Sequence, residues 1–395
     1  MNDGGNGICG GEKALRVGFL TIDNREHFRD YSNPQPHFGT APEALLEGFK
    51  LIPQDIEVHI VSCLQKEPIS SPARLAENIY YHALKVPNVG WLKTGYQGCI
   101  RATRKKLREI SPDIVHGQGT ERDCAVSSVF SGFPNVLTLH GNMGRIAAHI
   151  HAKPLSYYWF AKHLERWCLR RTNGVVAIST YTERNIRPYA KCTWLIPNAV
   201  HPDFFRVERS QPAHTRVLCV ANVNHWKNQV GLIEALDPLH QELDFELRFA
   251  GGLNSKDRYA KHFLRMIGER SWCNYLGSIN RAHLMRELSM ATVVALPSFE
   301  DNCPMVILEA AATGTPVAAA AIGGIPDLVA DGQSGVLFDP HDPLSIGRAI
   351  QGILRNKEKA TVLAHKARRK CVGSNSPEVV ARRHLQIYRE LVAPH

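Results

Sequence analysis

At 395 residues, 44% hydrophobic and 21% charged, the chain is globular and long enough for two domains, since single cores rarely grow beyond ~250 to 300 residues. No stretch approaches the ~20 consecutive apolar residues that cross a bilayer, the glycine-rich start, 1–13, reads as a disordered tail without an apolar signal core, and ten scattered cysteines with no Cys-x-x-Cys pair suit a reduced, cytoplasmic protein. The net charge of +10 is concentrated, with fifteen basic and six acidic side chains in residues 101–200 against 23 and 20 in residues 201–395.

Leu15 to Ile22 reads as a buried strand, followed by a long polar loop and a helix from about Ala41 to Leu51. Further strands are predicted at Ile56 to Val61, Asp113 to His116, Asn135 to His140, Gly174 to Ile178 and Thr193 to Pro197, with helices over Arg101 to Ile110 and Ser156 to Arg171. Short apolar runs alternating with helical patterns make βαβ units around a parallel sheet. Residues 14–205 are therefore expected to form one Rossmann-like domain, 206–214 a polar linker, and 215–376 a second domain with strands at Val217 to Ala221, Glu246 to Ala250 and Thr292 to Pro297. A final helix, Pro377 to Leu391, repeats Val380, His384, Ile387, Tyr388 and Leu391 at helical spacing within the terminal segment 377–395.

The basic surplus is densest in Arg101 to Arg108 and Lys162 to Arg171. The second piece mixes Leu164 and Trp167 with Arg166, Arg170 and Arg171, a pattern that fits either a helix on an anionic membrane surface at the inner face of a membrane or a solvated face over a buried stripe. Nucleic acid is not indicated, because no binding motif or aromatic platform accompanies the charge.

The richest stretch runs from Pro297 to Gly335. A strand leads into the polar loop Ser298 to Cys303, then a helix opened by Pro304 and stopped at Gly314, where proline suits the first turn and glycine the position past the last. That helix points free amides and its positive end above the strand ends. Asp301 in the loop and Glu309 in the helix frame the spot with seven residues between them. A second such loop, Gly323-Gly324-Ile325-Pro326-Asp327, opens a short helix expected to end at Gly332. Free amides suit an anion and carboxylates suit hydroxyls, so a nucleotide sugar fits both. No Gly-x-Gly-x-x-Gly follows a strand, which weighs against a dehydrogenase. No Asp-x-Asp triplet suggests a diphosphate-bound metal, and no nucleophile elbow stands out.

This stretch, with its acid, seven residues, Glu, small-residue helix, Gly-Thr-Pro-Val and Gly-Gly-Ile-Pro-Asp turn, resembles the retaining family 4 glycosyltransferases. The resemblance implies an α/β fold of GT-B architecture, two Rossmann-like domains facing across a cleft, with the last helix crossing back onto the first. It implies a nucleotide-sugar donor bound by the second domain, an acceptor (glycan, lipid-linked or small molecule) on the first, retention of configuration and no metal. Lys227 falls where the family places a diphosphate-gripping Lys, while Asn222 stands where an Arg is usual. Asp301 would orient the sugar and Glu309 the ribose hydroxyls, with Asn302, Cys303 and Pro304 completing the donor loop and Gly277 offering backbone to the base. His140 resembles the His beside the transferred sugar, Gly39 corresponds loosely to a glycine-rich loop near the phosphates, and His116 is an acceptor-side candidate. Asn222 in place of Arg leaves a non-catalytic nucleotide-sugar-binding relative open, and a phosphorylase or epimerase on a similar fold is a further alternative.

Overall fold

The computed structural model describes residues 14–87, 91–210 and 214–393. The expected tail 1–13, residues 211–213 of the expected linker and the last two residues of 377–395 lie outside the described residues.

The first half builds β1 (Leu15–Leu20), α1 (Asn24–Phe28), α2 (Thr40–Lys50), β2 (Ile56–Leu64), β3 (Arg74–Ala76), β4 (Ile79–Lys85), α3 (Gln97–Ile110), β5 (Ile114–Gln118) and α4 (Asp123–Val129). It continues with β6 (Asn135–Leu139), α5 (Met143–His149), α6 (Tyr157–Leu169), β7 (Gly174–Ala177), α7 (Thr180–Ile186) and β8 (Thr193–Leu195). Its eight strands are ordered β3-β4-β2-β1-β5-β6-β7-β8, parallel except where β3 runs against β4. The interior strands β5, β6 and β7 are buried along their whole length, which is why they read as continuous apolar runs.

The second half builds β9 (Arg216–Val220), α8 (Gln229–Glu242), β10 (Glu246–Ala250), α9 (Arg258–Gly268), β11 (Cys273–Tyr275), α10 (Arg281–Met290), β12 (Val293–Leu296) and α11 (Met305–Thr313). After these come β13 (Val317–Ala320), α12 (Ile325–Leu328), β14 (Val336–Phe338), α13 (Pro343–Arg355), α14 (Lys357–Asn375) and α15 (Pro377–Val392). Its six strands are all parallel, in the order β11-β10-β9-β12-β13-β14.

In each sheet the first strand lies inside, so the chain winds outward one way and then the other. Strand order reverses between β1 and β5 in the first sheet and between β9 and β12 in the second. Crevices at such reversals, beyond the carboxyl ends of the strands, are where open α/β sheets hold ligands. The loops after β1, β5, β9 and β12 are placed there by topology.

Helix α15 returns to the first domain, where Val380, Ala381, Leu385, Ile387 and Tyr388 join the core with Phe49 and Phe19. Gly48 of α2 makes the close crossing possible, since a Cβ there would fall 2.1 Å from the Pro377 carbonyl oxygen.

Several elements differ from the sequence reading. Strands β3 and β4 form an unforeseen edge, and α1, α4, α5 and α7, five to seven residues each, are too short to carry a helical repeat. Helix α12 stops at Leu328 rather than at Gly332. Gly332 instead sits in a tight turn at φ +65°, its amide donating to the Gly335 carbonyl at 2.9 Å.

Candidate functional site

On the second domain the loop after β9 folds into a tight 3-10 turn, His225–Lys227, fixed by the Asn224 side chain accepting from the Lys227 amide at 3.1 Å. Phe299 donates its amide to the Trp226 carbonyl at 2.7 Å, which straps this turn to the loop after β12. The two loops meet in an ion pair, with Lys227 Nζ 2.5 Å from Asp301 Oδ2. Ser298 donates to the same carboxylate oxygen at 3.2 Å. Asn222 does not enter this pair. Its side chain is exposed and accepts from the Gly252 amide at 3.0 Å, tying the loops after β9 and β10 together.

Helix α11 begins at the cap Pro304, which offers no side-chain acceptor, and ends on Gly314 at φ +71°. Its first amides are left to whatever lies above the strand ends. Gly323 and Gly324 let the second turn lie against the acid loop, since a Cβ at either would fall 1.9 Å from the carbonyl oxygen of Asp301 or Asn302 respectively. Every residue from Val306 to Thr313 is buried, Glu309 among them at 4% exposure. Burial pushes the Glu309 carboxyl up to about 7, with Arg281 acting the other way. Cys303 is a buried thiol facing the cleft, also raised by burial, to about 12. Gly277 holds φ +70°, and its carbonyl accepts from Gly251 at 2.9 Å.

On the first domain His140 follows the last residue of β6, Leu139. Its Nε2 donates to Gln118 Oε1 at 2.8 Å, leaving Nδ1 as a buried acceptor without a partner among the described residues. Burial holds its pKa down at about 4, so the ring is neutral. Behind it runs a polar chain: Gln118 Nε2 donates to His116 Nε2 at 2.9 Å, and His116 Nδ1 donates to the Tyr388 hydroxyl at 2.5 Å. His116 is therefore no acceptor contact. Its side chain is wholly buried, pairs with Thr138 and Tyr388, and stacks on His384. It positions His140 through Gln118, and it ties that position to the returning helix α15.

The two walls touch through the donor loop. Asn302 Oδ1 accepts from the Ser179 and Thr182 hydroxyls, and its Nδ2 donates to the His140 carbonyl at 3.2 Å. Thr180 donates its amide and hydroxyl to Asp327 at 2.6 and 2.8 Å, and Tyr181 donates to Glu300 at 2.5 Å. Arg281 reaches across to Glu43 of α2 at 2.6 Å. Asn302 is thus occupied as a clasp between domains.

Two cavities flank His140. One, of about 250 Å³, lies between His140, Arg145, Tyr181, Trp226, Lys227 and Asp301. The other, of about 400 Å³, lies between the first-domain loops and the start of α11, and Gly39 and Cys303 line it from opposite sides. Gly39 caps α2 at φ −60°, and a Cβ there would meet only Pro42 at 3.6 Å, so neither backbone strain nor crowding demands glycine. Gln118, Glu121, Arg145 and Glu165, which the sequence reading passed over, shape these walls. Gln118 and Glu121 were signalled only by the polar, glycine-containing run at the end of β5, while Arg145 on α5 and Glu165 on α6 carried no signal.

The apolar residues of α6 that suggested a membrane face are turned inward. Leu164 and Trp167 pack against the first-domain core, while Arg166 and Arg170 lie 5.3 Å from the Tyr189 ring and Arg171 4.0 Å from that of Trp167. The exposed apolar side chains of this region are Leu155, Tyr157, Tyr158 and Phe160. Among the described residues, no helix is long and apolar enough to cross a membrane. One trio of ligand atoms, from Cys63, Cys99 and Asp123, gathers within 4.8 Å, but it is buried between β2, α3 and α4 and lines neither cavity.

Sequence and structure comparisons bear on the fold and the family. The family model described as glycosyltransferase family 4 matches residues 49–204, and that described as glycosyl transferases group 1 matches residues 201–370. A D-inositol 3-phosphate glycosyltransferase of Corynebacterium diphtheriae is 33% identical over 150 residues, 36% of this chain and 35% of that one. One from Nocardioides is 42% identical over 82 residues, 21% of this chain and 18% of that one. The chain thus aligns with about a third or less of the length of these relatives. Among solved structures, sucrose-phosphate synthase from Thermosynechococcus elongatus superposes with a TM-score of 0.75 at 19% identity, covering 96% of this chain and 99% of that one. Anabaena HepE in complex with UDP-glucose superposes with a TM-score of 0.70 at 18% identity, covering 95% and 100%. With both family models side by side over 49–370 and both sheets arranged as in the GT-B neighbours, the chain belongs to the family 4 glycosyltransferases.

Proposed function

We propose that the protein transfers a sugar from a nucleoside diphosphate sugar to an acceptor hydroxyl, with retention of anomeric configuration. The observation that carries the reading is the meeting of Lys227 and Asp301 beside the open amino end of α11, opposite the neutral His140. Diphosphate charge draws on Lys227 and the helix amides, the sugar hydroxyls on Asp301 and the free Nδ1 of His140, and the ribose hydroxyls on Glu309. Lys227 and Asp301 neutralise each other in the fold, so a donor divides the pair, its phosphate taking the ammonium and its sugar the carboxylate. Stabilising the leaving diphosphate and fixing the sugar's orientation are the two contributions such a site makes to the transfer. No protein nucleophile is needed in this scheme, because the acceptor attacks from the face the diphosphate leaves.

The relatives' printed name, D-inositol 3-phosphate glycosyltransferase, and the UDP-glucose bound in the HepE structure support a uridine-type donor and a polyol or sugar acceptor as the first to test. The test is a thermal-shift screen of nucleotide sugars, in which a ligand at 100 times its dissociation constant stabilises by about 2.7 kcal/mol. Anomeric analysis of the product by NMR follows. An inverted product would refute retention, and the absence of both donor binding and donor turnover would refute the transfer itself.

A further inference from the structure

Glu121 stands in the larger cavity beside His140. Its carboxyl fits a slot made by two glycines: a Cβ at Gly119, which holds φ +80°, would fall 2.1 Å from Oε2, and one at Gly141 3.0 Å from Oε1. The slot is held from behind. The Thr120 hydroxyl donates to Glu165 Oε2 at 2.6 Å, and the same carboxylate accepts the Met143 and Gly144 amides at 3.0 and 3.1 Å. The loops after β5 and β6 are thereby locked to one another, and the Tyr157 hydroxyl donates to the Glu121 carbonyl at 2.5 Å. The rest of the first-domain wall presents hydroxyls and amides from Thr21, Asn24, Thr40 and Gln118, with the rings of His27 and His140 beside them. Among the described residues no Lys or Arg lines this cavity. The neighbouring arginines are engaged elsewhere: Arg25 in a buried pair with Asp23 at 2.7 Å, Arg122 over the Trp91 ring and 3.5 Å from Glu26.

We propose that this wall takes an uncharged, hydroxyl-bearing acceptor and that the Glu121 carboxylate receives its attacking hydroxyl, an inference that rests on the glycosyl-transfer reading above. Burial and the nearby Glu165 push the carboxyl up to about 7 against the pull of backbone amides, so it exchanges its proton near neutral pH. In the step, the acceptor oxygen bonds to the anomeric carbon. The bond from that carbon to the diphosphate oxygen breaks with its electron pair leaving on phosphate, and the hydroxyl proton passes to Glu121. A phosphorylated acceptor would bring a second anion to a wall whose charged group is already negative, while polyol hydroxyls pair with carboxylate and amides alike. The amino ends of α2 and α11 also border the cavity, and in this reading they are left to the donor diphosphate.

The experiment takes the nucleotide sugar giving the largest thermal shift and measures transfer to glucose and myo-inositol, and to glucose 6-phosphate and inositol 3-phosphate. It compares wild type, Glu121→Gln and Glu121→Ala. The neutral probes are expected to exceed their phosphates by ~10-fold or more in kcat/KM. Glu121→Gln is expected to lower kcat by about 10²-fold and to narrow that preference, with nucleoside diphosphate affinity unchanged. Retained nucleotide binding also shows that the variants fold. Preference for the phosphates, no transfer to either neutral probe, or an unchanged kcat in Glu121→Gln overturns the inference. Failure of wild type to bind any nucleoside diphosphate would overturn the glycosyl-transfer reading itself, and this inference with it.

Discussion

The buried Glu309 makes a prediction in which stability and ligand binding respond to pH in opposite ways. Its carboxyl is raised from an ordinary 4.5 to about 7 by burial in α11. A raised acid stabilises the fold fully below its unfolded value, and that contribution is lost as pH climbs through the folded one. At about 1.4 kcal/mol per tenfold, ionising Glu309 at pH 8 costs the folded protein about 3 kcal/mol relative to pH 4. Glu309→Gln keeps the shape and removes the titration, so the variant and wild type are expected to unfold at similar temperatures at pH 5. At pH 8 the variant is expected to unfold on the order of 4 °C higher. Hydroxyls of a ribose that donate to the carboxylate favour its ionised form, so wild type should bind nucleoside diphosphate more tightly at pH 8 than at pH 6. The variant should lose that gain together with ~10 to 100-fold in affinity. Calorimetric melting and titration at each pH read both quantities, and other titrating groups cancel in the difference between the two proteins. The same pH response in both would refute the reasoning, because it would mean that no buried acid in α11 is being ionised.

Lys227→Ala is expected to reduce donor affinity or turnover by ~10 to 100-fold, the loss of one charge-assisted bond, as measured by titration with nucleoside diphosphate; unchanged binding would remove Lys227 from the diphosphate site. Asp301→Asn should lower transfer by about 10² or more while nucleoside diphosphate affinity stays near wild type, and equal losses in both would end the division of labour between Asp301 and Glu309. Asn302→Ala removes the bonds to Ser179, Thr182 and the His140 carbonyl, so solution scattering should find the two domains further apart, and an identical scattering curve would show that the clasp contributes nothing. His140 and His384 are both held down at about 4 by burial; stability from them is full above about 6.5 and lost as pH falls toward 4, so His140→Gln should flatten the acid side of the melting profile, and a slope equal to wild type would contradict a neutral, buried ring.

The donor side was legible because its chemistry is local. Asp301, Pro304, Glu309 and Gly314 lie on one loop and one helix, so their spacing in sequence is their geometry in space. Buried parallel strands read equally well, since burial on both faces leaves an uninterrupted apolar run. What could not be read depends on partners far along the chain. His116 reads in the sequence as the end of a strand before a glycine, as a ligand-binding His does, but β5 runs on to Gln118 and the ring's partner Tyr388 comes 272 residues later on a helix that returns from the other domain. Leu164 and Trp167 present a mixed apolar and basic pattern that a membrane or a core would satisfy equally, and the core does.

Asn302 marks the sharper limit of local reading. It sits in the middle of the acid loop, next to the residue that pairs with Lys227, and any motif would count it among the donor contacts. Its side-chain oxygen and nitrogen are both already used, on Ser179 and Thr182 and on the His140 carbonyl. Asp301 and His140, the two groups expected to hold the sugar, are therefore tied together through the residue beside one and the backbone of the other. Each group is held within its own domain, Asp301 by Lys227 and Ser298 and His140 by Gln118, so separating the domains breaks that tie and parts the two, and on the reading proposed above they face one sugar only when the cleft is closed. The chemistry of transfer needs water kept out while diphosphate departs. A clasp built from the donor loop itself makes closure and correct placement the same event.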